Sequence, residues 1–290
     1  MDLSNVQKIA VLTDSCADLN REACAGLPVY VAPLKIVCGD GEYSDGVDIT
    51  AADIYARLDR GEIPKTSLPD FGTVDAALDQ IKADGYEKVI AIHLSSGLSG
   101  TYNMVRIHAG HRRDLEIAVF DSVRGAIAEG MNVLQVCADI ESGMTWEQLR
   151  DRRVPALLGG NFAAFTVDTL DYLVQGGRIG KISGMAGTLL NIKPIISFSQ
   201  EGELQSVAKV RGHRQVQDKL LEMIGKHLAG CTRYNLAVTH GGAAEELEAF
   251  KARLIAAYPN YDHLWQAELD ATLSVYIGKG VIGACAQRLD

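Results

Sequence analysis

Long apolar runs are missing from this chain of 290 residues, and none reaches the roughly 20 residues that span a bilayer, so no integral membrane segment is expected. Paired cysteines are missing too. The six present, Cys16, Cys24, Cys38, Cys137, Cys231 and Cys285, include no CxxC pair and no histidine at zinc-finger spacing, so reduced, mostly buried thiols are expected. Positive charge is short: 28 Lys and Arg against 37 Asp and Glu give a net charge of −9. That balance argues against a nucleic-acid partner, because neutralising phosphates needs a basic face. The chain opens without the basic start of a signal peptide and runs directly into a strand pattern, so a cytoplasmic location is expected. Walker A, HExxH and GxSxG sequences are all absent, which withdraws support from nucleotide hydrolysis, zinc proteolysis and a nucleophile-elbow hydrolase. Aromatic residues make up only 6%, leaving room for an aliphatic interior.

What is present is globular. Hydrophobic residues are 47% of the chain and charged residues 22%, and the length favours two domains. Strand-like and helix-like segments alternate in the first half, the pattern of parallel βαβ units. Apolar runs at Lys8–Leu12, Lys88–Leu94 and Ile117–Phe120 stop at Thr13-Asp14-Ser15, at Ser95 to Gly100 and at Asp121-Ser122. Right-handed crossovers put these three stops at one edge of a sheet, where open α/β folds bind ligands. Asp18 is expected to cap a helix directly after the first strand. Two hairpins are expected, Val29 to Asp48 turning at Asp40-Gly41, and Pro194 to Val210 turning at Glu201-Gly202. The predicted fold is α/β in two domains, residues 1–160 with a largely parallel sheet and residues 161–290 with a mixed sheet.

Few residues suggest chemistry. Gly278 to Gly283 matches GxGxxG, but too little chain follows for the helix and second strand of a dinucleotide site. His108 and His111 share a helix face without companion ligands and read as surface or packed residues. Hydroxyls stand out instead: Thr66-Ser67 between Pro64 and Pro69, and Ser96, Ser99 and Thr101 around a helix start. Hydroxyls beside the free N–H groups of a helix start suit a carboxylate or phosphate. The plain alternative is that Ser96 or Ser99 caps that helix and Thr66-Ser67 makes a turn.

At these residues the chain resembles the DegV family, whose bacterial members include the fatty-acid-binding subunits of fatty acid kinase. The likeness rests on Thr13 to Leu19, on Lys65 to Pro69, on His93 to Asn103, on Leu173 to Ile179 and on Ile192 to Ile195, in order and nearly end to end. It implies an acyl chain clamped between the two domains, its carboxylate held by Thr66 and Ser99, with Ser67 and Ser96 as neighbours. It also implies that Arg178 and Arg211 meet a kinase subunit; an exposed ion pair is the alternative for each. Between Gly176 and Arg214 the basic residues Arg178, Lys181, Lys193, Lys209, Arg211 and Arg214 face only Glu201 and Glu203, a local patch that could steer an acidic partner. The family's histidine near the ligand head is replaced here by Tyr276, and a phenol donates a hydrogen bond without titrating near neutral pH as imidazole does.

The resemblance therefore implies a cytoplasmic carrier of a long-chain fatty acid that presents the carboxylate to a fatty acid kinase catalytic subunit. No cofactor, metal or catalytic residue of its own is expected. Two rivals stand beside it: a lipid- or small-acid-acting enzyme with Ser99 as nucleophile, and an acyl-chain-sensing regulator.

Overall fold

The computed structural model describes residues 5–185 and 192–290. Four parallel strands form the first sheet, in the order β2 (Val29–Ala32), β1 (Ile9–Asp14), β6 (Lys88–His93), β7 (Glu116–Asp121). Every residue of β1 is buried, because helices cover both faces of the sheet. On one face lie α2 (Phe71–Ala83) and α3 (Thr101–Ala109). The other carries α4 (Ile127–Glu141), then α5 (Trp146–Gln148) and α6 (Val154–Gly159), joined by a π-helical stretch.

The second sheet has six strands in the order β10 (Leu204–Val210), β9 (Lys193–Phe198), β8 (Asn161–Thr166), β13 (Val281–Arg288), β11 (Tyr234–Gly241), β12 (Leu264–Glu268). Only the β11–β12 pairing is parallel, so the sheet is mixed. Helices α8 (His213–His227) and α9 (Ala244–Ala257) cover its outer face. Its inner face meets α4, which therefore lies between the two sheets. Two α/β domains, one with a parallel and one with a mixed sheet, are the architecture.

A third, antiparallel sheet joins β4 (Gly41–Ser44), β3 (Lys35–Cys38) and β5 (Lys65–Ser67). Beside it pack α1 (Ala51–Asp59), begun by a Thr50/Asp53 capping box, and α10 (Ala271–Ile277). The short α7 (Asp171–Gln175) leans on α10.

Three expectations are corrected in detail. The first hairpin is Lys35 to Ser44, with Gly39-Asp40 between the paired Cys38 and Gly41; Val29 to Ala32 belongs to the parallel sheet. No helix follows Asp18. A 3-10 turn at Ser15–Ala17 is capped by Asp14, and the Asp18 carboxylate instead accepts from the backbone N–H of Ile127 and of Asp270. Thr66 and Ser67 lie in strand β5 rather than a free loop, because β3 supplies pairing partners. The three strand stops do meet at one edge: Asp14 accepts from the Leu94 N–H at 3.0 Å, and Asp121 from the Ser96 N–H at 3.1 Å. All six cysteines are free, and four of them are buried.

Candidate ligand-binding site

Between that edge and the inner face of the mixed sheet is a cavity with about 820 Å³ of atom-free space, part of it continuous with solvent. Leu34, Leu94, Leu98 and Ala126 line it from the first domain. Phe165, Phe198, Leu204, Val281 and Cys285 line it from the second sheet, and Leu273 and Ile277 from α10. Most of the lining is aliphatic, and its side chains form one continuous buried cluster with Leu170, Leu173 and Ile196. Small residues in the central strands, Ala163 on β8 and Gly283 on β13, keep the floor low.

Polar groups gather at one end. Alternation along β5 turns Thr66 toward the cavity and leaves Lys65 and Ser67 exposed. The Thr66 hydroxyl lies 2.5 Å from the Tyr276 phenol. Tyr276 packs closely on Gly176, where an added Cβ would come within 2.3 Å of its ring; any larger residue at 176 would displace the phenol. The Arg178 guanidinium lies over the same ring, 5.0 Å from its centroid, a cation–π contact. Arg178 Nε donates to the Leu98 carbonyl at 3.2 Å and Nη1 to the Gly176 carbonyl at 2.8 Å, while Nη2 has no partner among the described residues. Ser99 also lines the cavity. Gly100 occupies the N-cap position of α3 without a side-chain bond, and the Ser99 hydroxyl serves the helix start in its place: it accepts from the Thr101 backbone N–H at 3.3 Å and bonds the Thr101 hydroxyl at 2.9 Å.

An open groove lies on the other side of this polar end, lined by Ile63, Pro64, Lys65, Tyr172, Gln175 and Val275. Thr66, Arg178 and Tyr276 line both the groove and the cavity, and so form the partition between them.

The structure thus brings Thr66, Ser99, Tyr276 and Arg178 to one lining. Ser67 and Ser96 are exposed and outside it. Arg211 is exposed on the link from β10 to α8, also outside the lining. The basic patch is partly neutralised, since Lys181 pairs with Glu201 and Glu203, and Lys193 with Asp168. The GxGxxG segment runs into strand β13 rather than a helix. His108 pairs with Asp75 at 2.7 Å. Cys38, Asp40 and Glu62 lie close enough together for a cation, but Arg57 already pairs with both carboxylates.

Three features of the lining escaped sequence reasoning. Arg178, which the resemblance assigns to a partner surface, also lines the cavity. Thr239 and Thr272 line the cavity without belonging to any motif, and their signal is three-dimensional. Ala126 adopts a glycine-like backbone, φ 58° and ψ −158°, where the chain enters α4 beside the cavity.

At the start of α10, three carboxylates from both domains converge. Asp45 accepts from the Ala271 and Thr272 N–H groups, both at 3.0 Å, Asp270 caps Leu273 at 2.8 Å, and Asp18 holds the Asp270 N–H. Burial pushes Asp18 up to about 7 and raises Asp270 well above the usual carboxylate range, reinforced for Asp270 by the neighbouring charges of Asp45 and Asp18.

Fold and site together define a two-domain α/β protein built around an aliphatic cavity with hydroxyls and one guanidinium at its outer end. The chain belongs to the DegV family: the model of that family of uncharacterised proteins matches residues 8–289. A DegV domain-containing protein of Clostridium acetobutylicum is 34% identical over 278 residues, covering 96% of this chain and 98% of its own. A Thermus thermophilus DegV family protein described as binding fatty acid superposes with a TM-score of 0.90 at 27% identity, over 97% of this chain and 99% of the other. A stearic-acid-binding protein of Eubacterium ventriosum superposes with a TM-score of 0.86 at 26% identity, over 97% and 98% of the two chains. No helix among the described residues is long and apolar enough to cross a membrane.

Proposed function

We propose that this chain is a carrier that buries a long-chain fatty acid between its domains, taken as residues 1–160 and 161–290, and presents the carboxylate to a separate, cytoplasmic fatty acid kinase. The single observation that carries this reading is the shared position of Thr66, Arg178 and Tyr276, which face both the aliphatic cavity and the open groove. A carboxylate held there has its tail in the cavity and its oxygens within reach of the groove. The fatty-acid-binding DegV proteins it superposes on support the same ligand class.

The energetics follow from the tail. Each buried methylene contributes about 0.8 kcal/mol, so about 16 carbons give on the order of 10 kcal/mol before ordering costs. Thr66, Ser99 and Tyr276 supply hydrogen bonds, and Arg178 supplies the counter-charge, a role in the site that replaces the partner contact expected from sequence. Arg211 remains available to a partner on the exposed face. Ser99 bonds Thr101 rather than an imidazole or carboxylate, which favours a carrier over a hydrolase with Ser99 as nucleophile.

Delipidated chain mixed with labelled palmitate, ATP and a bacterial fatty acid kinase catalytic subunit tests the proposal. Acyl phosphate should form only when both proteins are present. Acyl phosphate made from ATP by this chain alone would refute the carrier role, and failure to retain palmitate would refute the ligand.

A further inference from the structure

We infer that the cavity contains a second polar station, made by Thr239 and Thr272, that selects fatty acids bearing an oxygen substituent such as a hydroxyl along the chain. The inference rests on the fatty-acid reading and narrows its ligand class.

Both residues line the cavity, and both are almost fully buried, at 4% and 2% exposure. Neither hydroxyl has a hydrogen-bond partner among the described residues. Other buried hydroxyls nearby are paired. Thr166 donates to the Pro194 carbonyl at 2.8 Å, Ser197 to the Ala163 carbonyl at 2.7 Å, and Ser274, on the same helix as Thr272, to the Tyr55 phenol at 3.1 Å. Native interiors pair nearly all such groups, because a buried hydroxyl left without a partner is destabilising. Both exceptions belong to residues that line the cavity, which points to a partner supplied by the ligand.

Their placement separates them from the carboxylate end. Thr272 stands one helical turn from Tyr276 on α10, about 6 Å along the axis, on the side away from the groove. Thr239 lies opposite Gly283 in the β11–β13 register, with its methyl turned toward that glycine, 2.8 Å from where a Cβ would stand. The surroundings are otherwise aliphatic, so an oxygen arriving on an acyl chain meets two hydroxyls, each able to donate and accept. A chain without such a substituent leaves both unpaired.

Competition binding on the delipidated full chain tests this, using stearate and a series of hydroxystearates with the hydroxyl moved along the chain. At one or more positions the hydroxystearate should bind about 3–10-fold tighter than stearate, the effect of one neutral hydrogen bond. That ratio should fall to one or below in Thr239→Val/Thr272→Val, and Thr239→Ser, which keeps the hydroxyl, should preserve it. Equal binding of stearate and every hydroxystearate by the wild-type chain would overturn the station, as would a ratio unchanged by the double substitution. If no fatty acid binds at all, the carrier reading itself fails, a distinct result from loss of the preference.

Discussion

Tyr276 concentrates the residue-level argument. Its phenol meets the Thr66 hydroxyl at 2.5 Å, its ring rests on Gly176, and Arg178 covers it. In the proposed site the phenol and Thr66 together hold a carboxylate oxygen, so Tyr276→Phe removes one donor while keeping the packing. Palmitate affinity should fall about 10-fold, as expected for a hydrogen bond to a charged group, whereas Ser67→Ala should leave it unchanged. Isothermal titration calorimetry on delipidated protein measures both, and equal effects of the two substitutions would contradict the assignment. Thr66 and Ser99 were legible from the motifs that hold them. Ser67 was not separable from Thr66, since the two flank one peptide bond and only the pairing of β5 with Ile36 and its neighbours decides which faces inward.

Among the elements, α4 and α10 carry the join between domains. Along α4, Glu129, Asn132 and Gln135 have the spacing of a solvent-facing stripe, yet all are buried. Gln287 donates to Asn132 at 2.8 Å, and Asn235 to Gln135 at 2.7 Å, so amides cross from the mixed sheet to the helix. Periodicity cannot reveal such a face, because the polar partners come from strands 100 and 155 residues away. Strands β1, β6 and β7 were legible for the opposite reason: a short apolar run bounded by polar residues is a local signal.

The spacing of Asp18 suggests a local cap, whereas its carboxylate serves α4 and the α10 approach, a purely tertiary arrangement. Its raised pKa has a definite sign. The unfolded chain gives up this proton near 3.8, while the folded chain holds it up to about 7, so the folded state binds more protons between those values. The contribution to stability is fully present below pH 3.8 and is lost as pH rises through about 7. Asp270→Asn keeps a good N-cap and offers Asp18 an amide donor in place of a competing acid. Thermal melts from pH 5 to pH 8 should show the wild-type protein losing stability and Asp270→Asn losing less, with the variant melting higher at pH 8. Parallel curves would rule this out.

At the scale of the whole molecule, the cavity exists only because the two domains stay in register. Gly97 touches the β9–β10 turn so closely that a Cβ would lie 2.7 Å from the Glu201 carbonyl oxygen, and Ser95 donates to the Gly202 carbonyl at 2.9 Å. Gly97→Ala should therefore force the domains apart at this contact. The expected cost is about 1–3 kcal/mol, seen as a lower melting temperature together with faster release of bound palmitate. An unchanged melting temperature would show that the contact is slack. The two-domain α/β plan was legible because its signals lie within single segments. The third sheet and the placing of α4 between the other two were not, because both depend on pairings distant in sequence. Native mass spectrometry of the protein purified from cells tests the central claim most directly. The account predicts a complex heavier than the chain by about 250–300 Da, the mass of one long-chain acid enclosed in a deep apolar pocket. Bare protein that also takes up no palmitate when offered it would contradict the account.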